Sequence, residues 1–287
     1  MNGKTYAAIV HYMNWPSVLD TISDCLAEGI PEEFVILVDN GSPDGALGAL
    51  TLLHPHIQIV QSEQGNIGYG AGVNLGVKHA RDQGADRVLV LTHEVRTRRG
   101  LLNALSAALD IDPSVAVSAP LTYLKSDPEV VWSAGGDLSL RDCYPVARKE
   151  WSASPVDWVD GCCFLVRVRD HFNIGGMFEP YFLYLEEVDY FVRMRRSGRG
   201  VVLLAEAVAY QEPGSMGLYY AIRNRILLAR RLSRRSLAVR IAIEHGAKGV
   251  WSWFIRDLRP SGRDRIRAVR DGWRLGVADE TELRDRR

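Results

Sequence analysis

Residues 34–42 have the sequence Phe-Val-Ile-Leu-Val-Asp-Asn-Gly-Ser, a short apolar run followed by a polar turn. The run is rich in aliphatic residues and predicts a buried strand, Phe34–Val38. Helical patterns occur near residues 17–28, 70–83 and 100–109. Strands that alternate with amphipathic helices predict βαβ units, hence an α/β fold with a mainly parallel sheet. The other runs that predict strands of this sheet are Tyr6–His11, Ile57–Val60, Arg87–Leu91 and Val115–Ser118.

The composition is that of a soluble globular protein. The 287 residues are 47% hydrophobic and 24% charged, with a formal net charge of zero, so no global field favours nucleic acid or acidic membranes. The four cysteines include no C-x-x-C pair, and no signal peptide is predicted, so we expect reduced thiols and a cytoplasmic location. No run of 18 apolar residues predicts a membrane span.

The second half of the chain changes character. A further apolar strand is predicted at Trp158–Val166, interrupted by Gly161, and a helix is predicted to begin near Glu186. Gly198 is a suitable residue to end that helix. Beyond Gly214 the pattern is helical and rich in Arg.

Polar residues follow two of the predicted strands. In parallel sheets, ligands bind outside the carboxyl ends of the strands. Asp39 follows the second strand, and Thr92-His93-Glu94 follows the fourth. The Asp39 carboxylate could accept hydrogen bonds from a nucleoside, or it could close an Asx-turn through Ser42.

A glycine-rich segment, Asn66–Gly76, lies at a predicted junction of loop and helix. Its alternating glycines permit close backbone approach, and the helix N-terminus favours a diphosphate. It does not match a dinucleotide-binding fingerprint, because Val73 and Leu75 stand where a third Gly would be needed. Tight helix packing is an equally good explanation for Gly72 and Gly76.

Three carboxylates, Glu186, Glu187 and Asp189, fall within one turn at a predicted helix start. Interaction with the helix dipole accounts for at least one of them. A carboxylate in partly apolar surroundings has a raised proton affinity and can act as a general base. The cluster is therefore a candidate catalytic group.

In order along the chain, these motifs resemble family 2 glycosyltransferases of the GT-A fold, in particular the rhamnosyltransferase-like branch. The resemblance runs from Ile9 to about Arg225. It implies a Rossmann-like sheet with helices on both faces, and inverting transfer of a sugar from a UDP- or dTDP-linked donor to an acceptor hydroxyl. It also implies a catalytic domain over residues 1–215, with a nucleotide-sugar half (about 1–120) and an acceptor half (about 121–215), and a helical extension over 216–287.

The resemblance also implies roles for individual residues. Glu187 matches the family's general base, which is usually Asp. The residues that match or adjoin donor-binding positions are His11, Asn14, Asp39, Asn66, Gly68, Gly72, Asn74, Thr92, Gly161, Arg223 and Arg225.

The chain departs from the family at the metal motif. The family usually has Asp at position 94, Asn or Asp at position 92, and often His at the position of Gln211. We expect Mg²⁺ or Mn²⁺ to bind Glu94 together with the donor diphosphate, with Gln211 a weaker neutral ligand. In the alternative, Arg223 and Arg225 offset the diphosphate charge without a metal.

The sequence allows more than one role for the C-terminal helices and more than one function for the chain. Trp251, Phe254 and Leu258 recur at helical spacing, which predicts packing against the catalytic domain. A homodimer interface, or peripheral contact with anionic lipid at the inner face of the membrane, would use the same helices. The alternative functions are a non-catalytic donor-binding descendant and, with less support, a nucleotidyltransferase. The latter class needs a basic Gly-rich loop after the first strand, where His11–Pro16 stands.

Overall fold

The computed structural model describes residues 3–43, 45–139, 141–254 and 261–284. A nine-stranded sheet runs through the molecule in the order β3-β2-β1-β4-β10-β6-β11-β5, with β7 beside β6, and β8 and β9 form a separate hairpin. The strands are β1 (Thr5–His11), β2 (Val35–Asp39), β3 (Gln58–Gln61), β4 (Arg87–Thr92), β5 (Arg96–Thr97), β6 (Val115–Leu124), β7 (Val131–Ser133), β8 (Gly136–Ser139), β9 (Tyr144–Ala147), β10 (Cys163–Arg167) and β11 (Gly200–Gln211).

Helices cover this sheet and form the end of the chain. They are α1 (Trp15–Ala27), α2 (Ala46–Leu53), α3 (Tyr69–Asp82), α4 (Leu101–Ile111), α5 (Val168–Asn173), α6 (Glu186–Arg196), α7 (Leu218–Arg231), α8 (Arg235–Phe254) and α9 (Ser261–Arg284). The sequence did not predict α2, whose run of Leu and Ala is short and follows a turn-rich segment.

Most strands of the main sheet point the same way. Strands β3, β2, β1 and β4 pair in parallel, whereas β10 is antiparallel to both β4 and β6. Strand β11 then pairs with β6 in parallel. The mainly parallel α/β sheet expected from the sequence is confirmed.

Alternate residues of the strands supply two hydrophobic cores, one on each face. On β1, Ala8 and Val10 pack with helices α3, α6 and α7, whereas Ala7 and Ile9 pack with α1, α2 and α4. Buried parallel strands are apolar on both faces, which explains the unbroken aliphatic runs in the sequence. Helices therefore cover both faces, as expected.

The predicted strand Trp158–Val166 was too long. Strand β10 begins at Cys163, and Gly161 and Cys162 form a turn before it. The turn is closed by Asp160, whose Oδ1 accepts a hydrogen bond from the Cys162 amide at 3.0 Å. Trp158 makes a single bridge to Gly136.

The C-terminal helices share the core of the catalytic part. Ile226, Leu237, Ile241 and Ala268 belong to the same hydrophobic cluster as the sheet residues. The expected packing of Trp251 was wrong, because its side chain is 67% exposed; the Phe254 side chain and Leu258 lie outside the described residues. The division near residue 215 stays a prediction. In the described part of the chain, no helix is both long and apolar enough to cross a membrane.

Candidate active site

Strands β1, β2 and β4 end at one edge of the sheet. His11 is in register with Asp39, and the Asn40 amide donates to the His11 carbonyl at 2.9 Å. The His93 amide, just beyond β4, donates to the Val10 carbonyl at 3.2 Å. The polar segments that follow three parallel strands are thus held beside one another.

Asp39 is buried and makes two polar contacts. Its Oδ1 accepts a hydrogen bond from the Ser42 amide at 2.9 Å, and its Oδ2 accepts one from Gln61 Nε2 at 3.3 Å. The first contact is the Asx-turn considered from the sequence. A carboxylate has lone pairs for further donors, so the contact of Asp39 with a nucleoside stays a prediction.

The loop after β1 joins the turn of Asp39 to the residues that follow β4. The Met13 amide donates to Ser42 Oγ at 2.8 Å, and Asn14 Nδ2 donates to Glu94 Oε1 at 3.1 Å. Met13 and Asn14 both have left-handed backbone, with φ of 62° and 59°. The structure thereby brings Asn14, Asp39 and Glu94 to one loop cluster.

The glycine-rich segment begins with a hydrogen-bonded turn. Asn66 Oδ1 accepts from the Gly68 amide at 2.9 Å and from Asn40 Nδ2 at 3.1 Å. The Tyr69 amide, at the start of α3, donates to the Phe182 carbonyl at 2.7 Å. Gly68 has φ of 88°, and a Cβ there would collide with the Phe182 backbone. The N-terminus of α3 is therefore hydrogen-bonded to a protein carbonyl group.

Glycines and Asn74 within α3 contact other protein groups. A Cβ on Gly72 would lie 2.8 Å from Val10 Cγ1, and one on Gly76 would lie 2.9 Å from a Val38 methyl. Asn74 Nδ2 donates to the Met177 carbonyl at 2.8 Å, and its Oδ1 accepts from the Met177 amide at 2.8 Å. Packing thus accounts for Gly72 and Asn74, and their donor-binding roles stay predictions.

Glu187 lies against the turn that precedes β10. A Cβ on Gly161 would lie 3.2 Å from Glu187 Cβ, closer than ordinary van der Waals contact, so the glycine allows these two residues to lie close together. The neighbouring Cys162 carbonyl accepts from the Thr92 amide at 2.9 Å. Through this turn, Glu187 is connected to the end of β4, two residues before Glu94.

The carboxyls of Glu186 and Glu187 both hold protons more tightly than usual. Burial, together with a smaller effect of the nearby Asp160 carboxylate, raises the pKa of Glu187 to about 7. Burial raises the pKa of Glu186 well above its usual range, and the Glu187 charge adds to this effect. A carboxyl that titrates near neutrality can accept a proton at physiological pH. Glu187 therefore has the proton affinity of a general base.

The oxygens near Glu94 suit a divalent ion that is shared with a diphosphate. The Glu94 side chain is 42% exposed, and Thr92 Oγ1 donates to Gln211 Oε1 at 3.5 Å. The described residues contain no cluster of three His, Cys, Asp or Glu residues able to enclose a metal. Mg²⁺ commonly binds one or two carboxylates plus substrate phosphates, so one carboxylate fits such an ion.

Arg223 and Arg225 bond to backbone carbonyls. Arg223 is buried and donates to the Pro180 carbonyl at 3.1 Å and to the Tyr181 carbonyl. Arg225 donates to the Asp142 carbonyl at 2.9 Å. Both arginines therefore have structural roles. Their role in offsetting the charge of the diphosphate stays a prediction.

Sequence reasoning missed two charged residues near the site. Asp160 raises the pKa of Glu187, and Lys125 Nζ lies 3.5 Å from the Glu94 carbonyl. The position of Asp160, directly before Gly161 in the sequence, could have indicated that it belongs to the site. Lys125 has no signal in the sequence, because its position depends on β6 reaching the same sheet edge as β4.

A cavity of about 650 Å³ lies beside the glycine-rich segment. Its lining includes Gln61, Asn66, Asn74, Lys78 and Glu179, but none of the carboxylates of Asp39, Glu94 or Glu187. It borders the cluster described above through Gln61, which donates to Asp39, and through Asn66.

Comparison with protein families matches residues 6–171 to the model described as "Glycosyl transferase family 2". This is more than half of the chain. The chain belongs to glycosyl transferase family 2. The resemblance noted from the sequence is thereby confirmed for the family.

Relatives of this family 2 chain include the N-acetylglucosaminyl-diphospho-decaprenol L-rhamnosyltransferase of Mycobacterium tuberculosis. The two are 30% identical over 190 residues, which cover 57% of this chain and 61% of the relative. This similarity supports the rhamnosyltransferase-like resemblance. The match spans less than two thirds of the relative's length.

Two solved structures share the fold. GalNAc-T7 with UDP, GalNAc and Mn²⁺ has a TM-score of 0.64 and 14% identity, over 79% of this chain and 48% of the other. The mannosyltransferase PcManGT from Pyrobaculum calidifontis, with GDP-Man and Mn²⁺, has a TM-score of 0.57 and 15% identity, over 99% and 81%. The GT-A architecture of this family 2 chain is confirmed.

Proposed function

We propose that this chain is an inverting glycosyltransferase that moves a sugar from a UDP- or dTDP-linked donor to an acceptor hydroxyl. The observation that carries the proposal is the position of Glu187. Its carboxyl has a pKa of about 7 and lies against the turn hydrogen-bonded to the end of β4. A base at the sheet edge where GT-A enzymes hold the nucleotide is what a single displacement needs.

In the proposed reaction, the acceptor oxygen attacks the anomeric carbon of the donor sugar. Glu187 takes the proton of the acceptor hydroxyl as the new carbon–oxygen bond forms. The bond between that carbon and the diphosphate breaks, and its electron pair leaves with the diphosphate oxygen. Attack from the face opposite the leaving group inverts the anomeric centre.

The nucleoside would occupy the ends of β1 and β2. His11 and Asp39 are adjacent and buried there, and Asn14 and Asn66 border the same loops. Gly68, Gly161 and Thr92 shape the backbone between the donor and Glu187. Gly72, Asn74, Arg223 and Arg225 contact other parts of the protein, and we propose that they help to hold the donor site in shape.

Glu94 is the proposed protein ligand of Mg²⁺ or Mn²⁺, and Gln211, whose Oε1 accepts from Thr92 Oγ1 at 3.5 Å, is the proposed weaker neutral ligand. Such an ion, when bound, offsets the charge that develops on the leaving diphosphate. The Mn²⁺ in two complexes that share the fold supports the use of a divalent ion. Lys125 adds positive charge close to Glu94.

The name of the mycobacterial relative supports a more specific acceptor. That enzyme acts on an N-acetylglucosaminyl-diphospho-decaprenol, a saccharide on a lipid diphosphate. We therefore propose a lipid-linked saccharide as the acceptor of this chain, used at the cytoplasmic face of a membrane. A donor-binding protein without turnover is the second candidate, because Thr92-His93-Glu94 lacks the usual Asp.

The test is a nucleotide screen followed by turnover. UDP or dTDP should raise the melting temperature, and the matching sugar donor should release nucleoside diphosphate in the presence of Mn²⁺. EDTA should abolish release, and Glu94→Gln should slow it by roughly 10²-fold or more, because a charge-stabilising contact is lost. If nucleotides bind but no sugar donor is turned over, the result would favour a donor-binding protein without transferase activity. Full turnover in EDTA would remove the metal from the proposal.

A further inference from the structure

Helix α8 is apolar on two opposite sides. Leu237, Ala238 and Ile241 face the protein core and are at most 7% exposed. The opposite side carries Val239, Ile243 and Val250, which are 43, 66 and 47% exposed, and Trp251, 67% exposed, lies on the flank of this side. Although α8 also carries polar residues such as the exposed Glu244–Lys248 ion pair, a contiguous row of exposed aliphatic side chains commonly marks a surface that binds a partner.

The outer side forms one continuous stripe. Val239, Ile243 and Val250 are spaced by four and seven residues, which places them on one line of an α-helix. Trp251 follows Val250 in sequence, about 100° further around the helix, and forms the edge of the stripe. We name these four residues the α8 stripe.

Helix α9 adds a row of positive charge beside the stripe. Arg263, Arg267, Arg270 and Arg274 are all exposed, and their spacing of four, three and four residues puts them on one face. Ile266, itself 46% exposed, borders this row and packs closely against Gly249 of α8. An apolar stripe and a row of arginines thus share one surface.

The row is part of a wider division of charge. Residues 216–287 contain 18 of the 35 Lys and Arg residues but 8 of the 35 Asp and Glu residues, a net charge of +10. Residues 1–215 therefore carry −10, although the whole chain is neutral. Asp271 contacts Arg267 and Arg270 and lowers the local charge without removing its sign.

We propose that the α8 stripe and the α9 arginine row form a docking surface for an anionic lipid bilayer. Apolar side chains flanked by Arg are the features with which amphipathic helices bind the interface of anionic membranes. A second copy is less suited as the occupant, because its residues 216–287 would bring the same net positive charge to the contact.

The surface also adjoins the acceptor half. Arg240 of α8 donates to the Arg141 carbonyl at 3.3 Å, at the tip of the β8–β9 hairpin. Tyr144 on this hairpin is 51% exposed. Docking would place the hairpin near the bilayer. The proposal goes beyond sugar transfer, and it can be tested without donor or acceptor.

The experiment is flotation of the full chain with vesicles of phosphatidylcholine alone or mixed with phosphatidylglycerol. The chain should bind the mixed vesicles, bind the neutral ones poorly, and lose binding at high salt. Ile243→Asp should weaken binding about tenfold or more, because an apolar contact with the interface is replaced by a charge that anionic lipid repels. Arg270→Gln/Arg274→Gln should weaken binding to the mixed vesicles only.

The matched control is Ile111→Asp, since Ile111 is 83% exposed at the end of α4, outside this surface. It should bind vesicles as the unaltered chain does. Equal binding by Ile243→Asp, or no binding by the unaltered chain, would overturn the proposal. So would a dimer that Ile243→Asp dissociates, or a melting temperature lowered by Ile243→Asp and not by Ile111→Asp, since either result means that protein covers the stripe.

Discussion

Glu187 is preceded by a loop held in an uncommon backbone conformation. Phe182, Tyr184 and Leu185 have positive φ values of 63°, 68° and 70°. Such residues cost about 1–3 kcal/mol each and persist only where their surroundings hold them. Asn224 of α7 does so here: it is fully buried, and its Nδ2 donates to the Leu183 and Tyr184 carbonyls at 2.7 Å each.

Asn224→Ala should loosen this loop. Its carbonyls would lose a buried donor, so the free energy of unfolding should fall by about 1–3 kcal/mol. As a positioning residue, Asn224 should affect kcat more than the KM for the donor, because the loop precedes Glu187. Chemical denaturation and steady-state kinetics measure both effects.

Asn103→Ala is the control, since Asn103 is exposed on α4. It should change neither stability nor kcat by much. If Asn224→Ala lowered stability and left kcat unchanged, the positioning role would be refuted.

The sequence allowed Asp39 and the acidic cluster of Glu186, Glu187 and Asp189 to be named as candidates, because strand ends and an acidic helix start are local patterns. The family resemblance then singled out Glu187. The pKa of Glu187 could not be foreseen in this way. It depends on burial and on Asp160, which reaches Glu187 because β10 enters the sheet between β4 and β6. Likewise, Arg223 looked like a ligand of phosphate in the sequence, and only the fold reveals the carbonyls that it binds.

At the scale of elements, helix α3 packs unusually close to the sheet. Its glycines leave no room for a Cβ opposite Val10 or Val38. The strands and this helix were predictable because periodicity is a property of each segment. The order of the strands was less predictable. The antiparallel strand β10 lies in the middle of the sheet because of contacts between segments that are distant in sequence.

Gly72→Ala should destabilise the protein. The new methyl group would lie 2.8 Å from Val10 Cγ1, and overpacking of this kind typically costs about 1–3 kcal/mol. The matched control is Gly48→Ala in α2, where a Cβ meets nothing within 4 Å. This change should stabilise the helix by up to about 1 kcal/mol.

Thermal or urea denaturation of the two variants would decide the matter. A lower free energy of unfolding for Gly72→Ala and a higher one for Gly48→Ala would support the packing role of Gly72. Equal stability of both variants would mean that α3 can move away from β1, and that the close approach is not required.

At the scale of the whole molecule, the C-terminal helices belong with the catalytic part in packing and differ from it in charge. Asp189 of α6 is fully buried between Arg193, at 2.7 Å, and Arg231 of α7, at 3.0 Å. This link ties α7 to the helix that begins with the candidate base. The helical extension was predictable from its pattern, but these contacts between distant segments were not.

The central claim is that Glu187 is the base at a nucleotide-sugar site, and the pH dependence of kcat/KM tests it most directly. The base must be ionised, so with a pKa of about 7 kcat/KM should fall tenfold per pH unit below pH 7 and level off above it. Glu187→Gln should still bind nucleotide, lose this dependence and turn over roughly 10²–10⁴-fold more slowly. A variant with full turnover and the same pH profile would contradict the account.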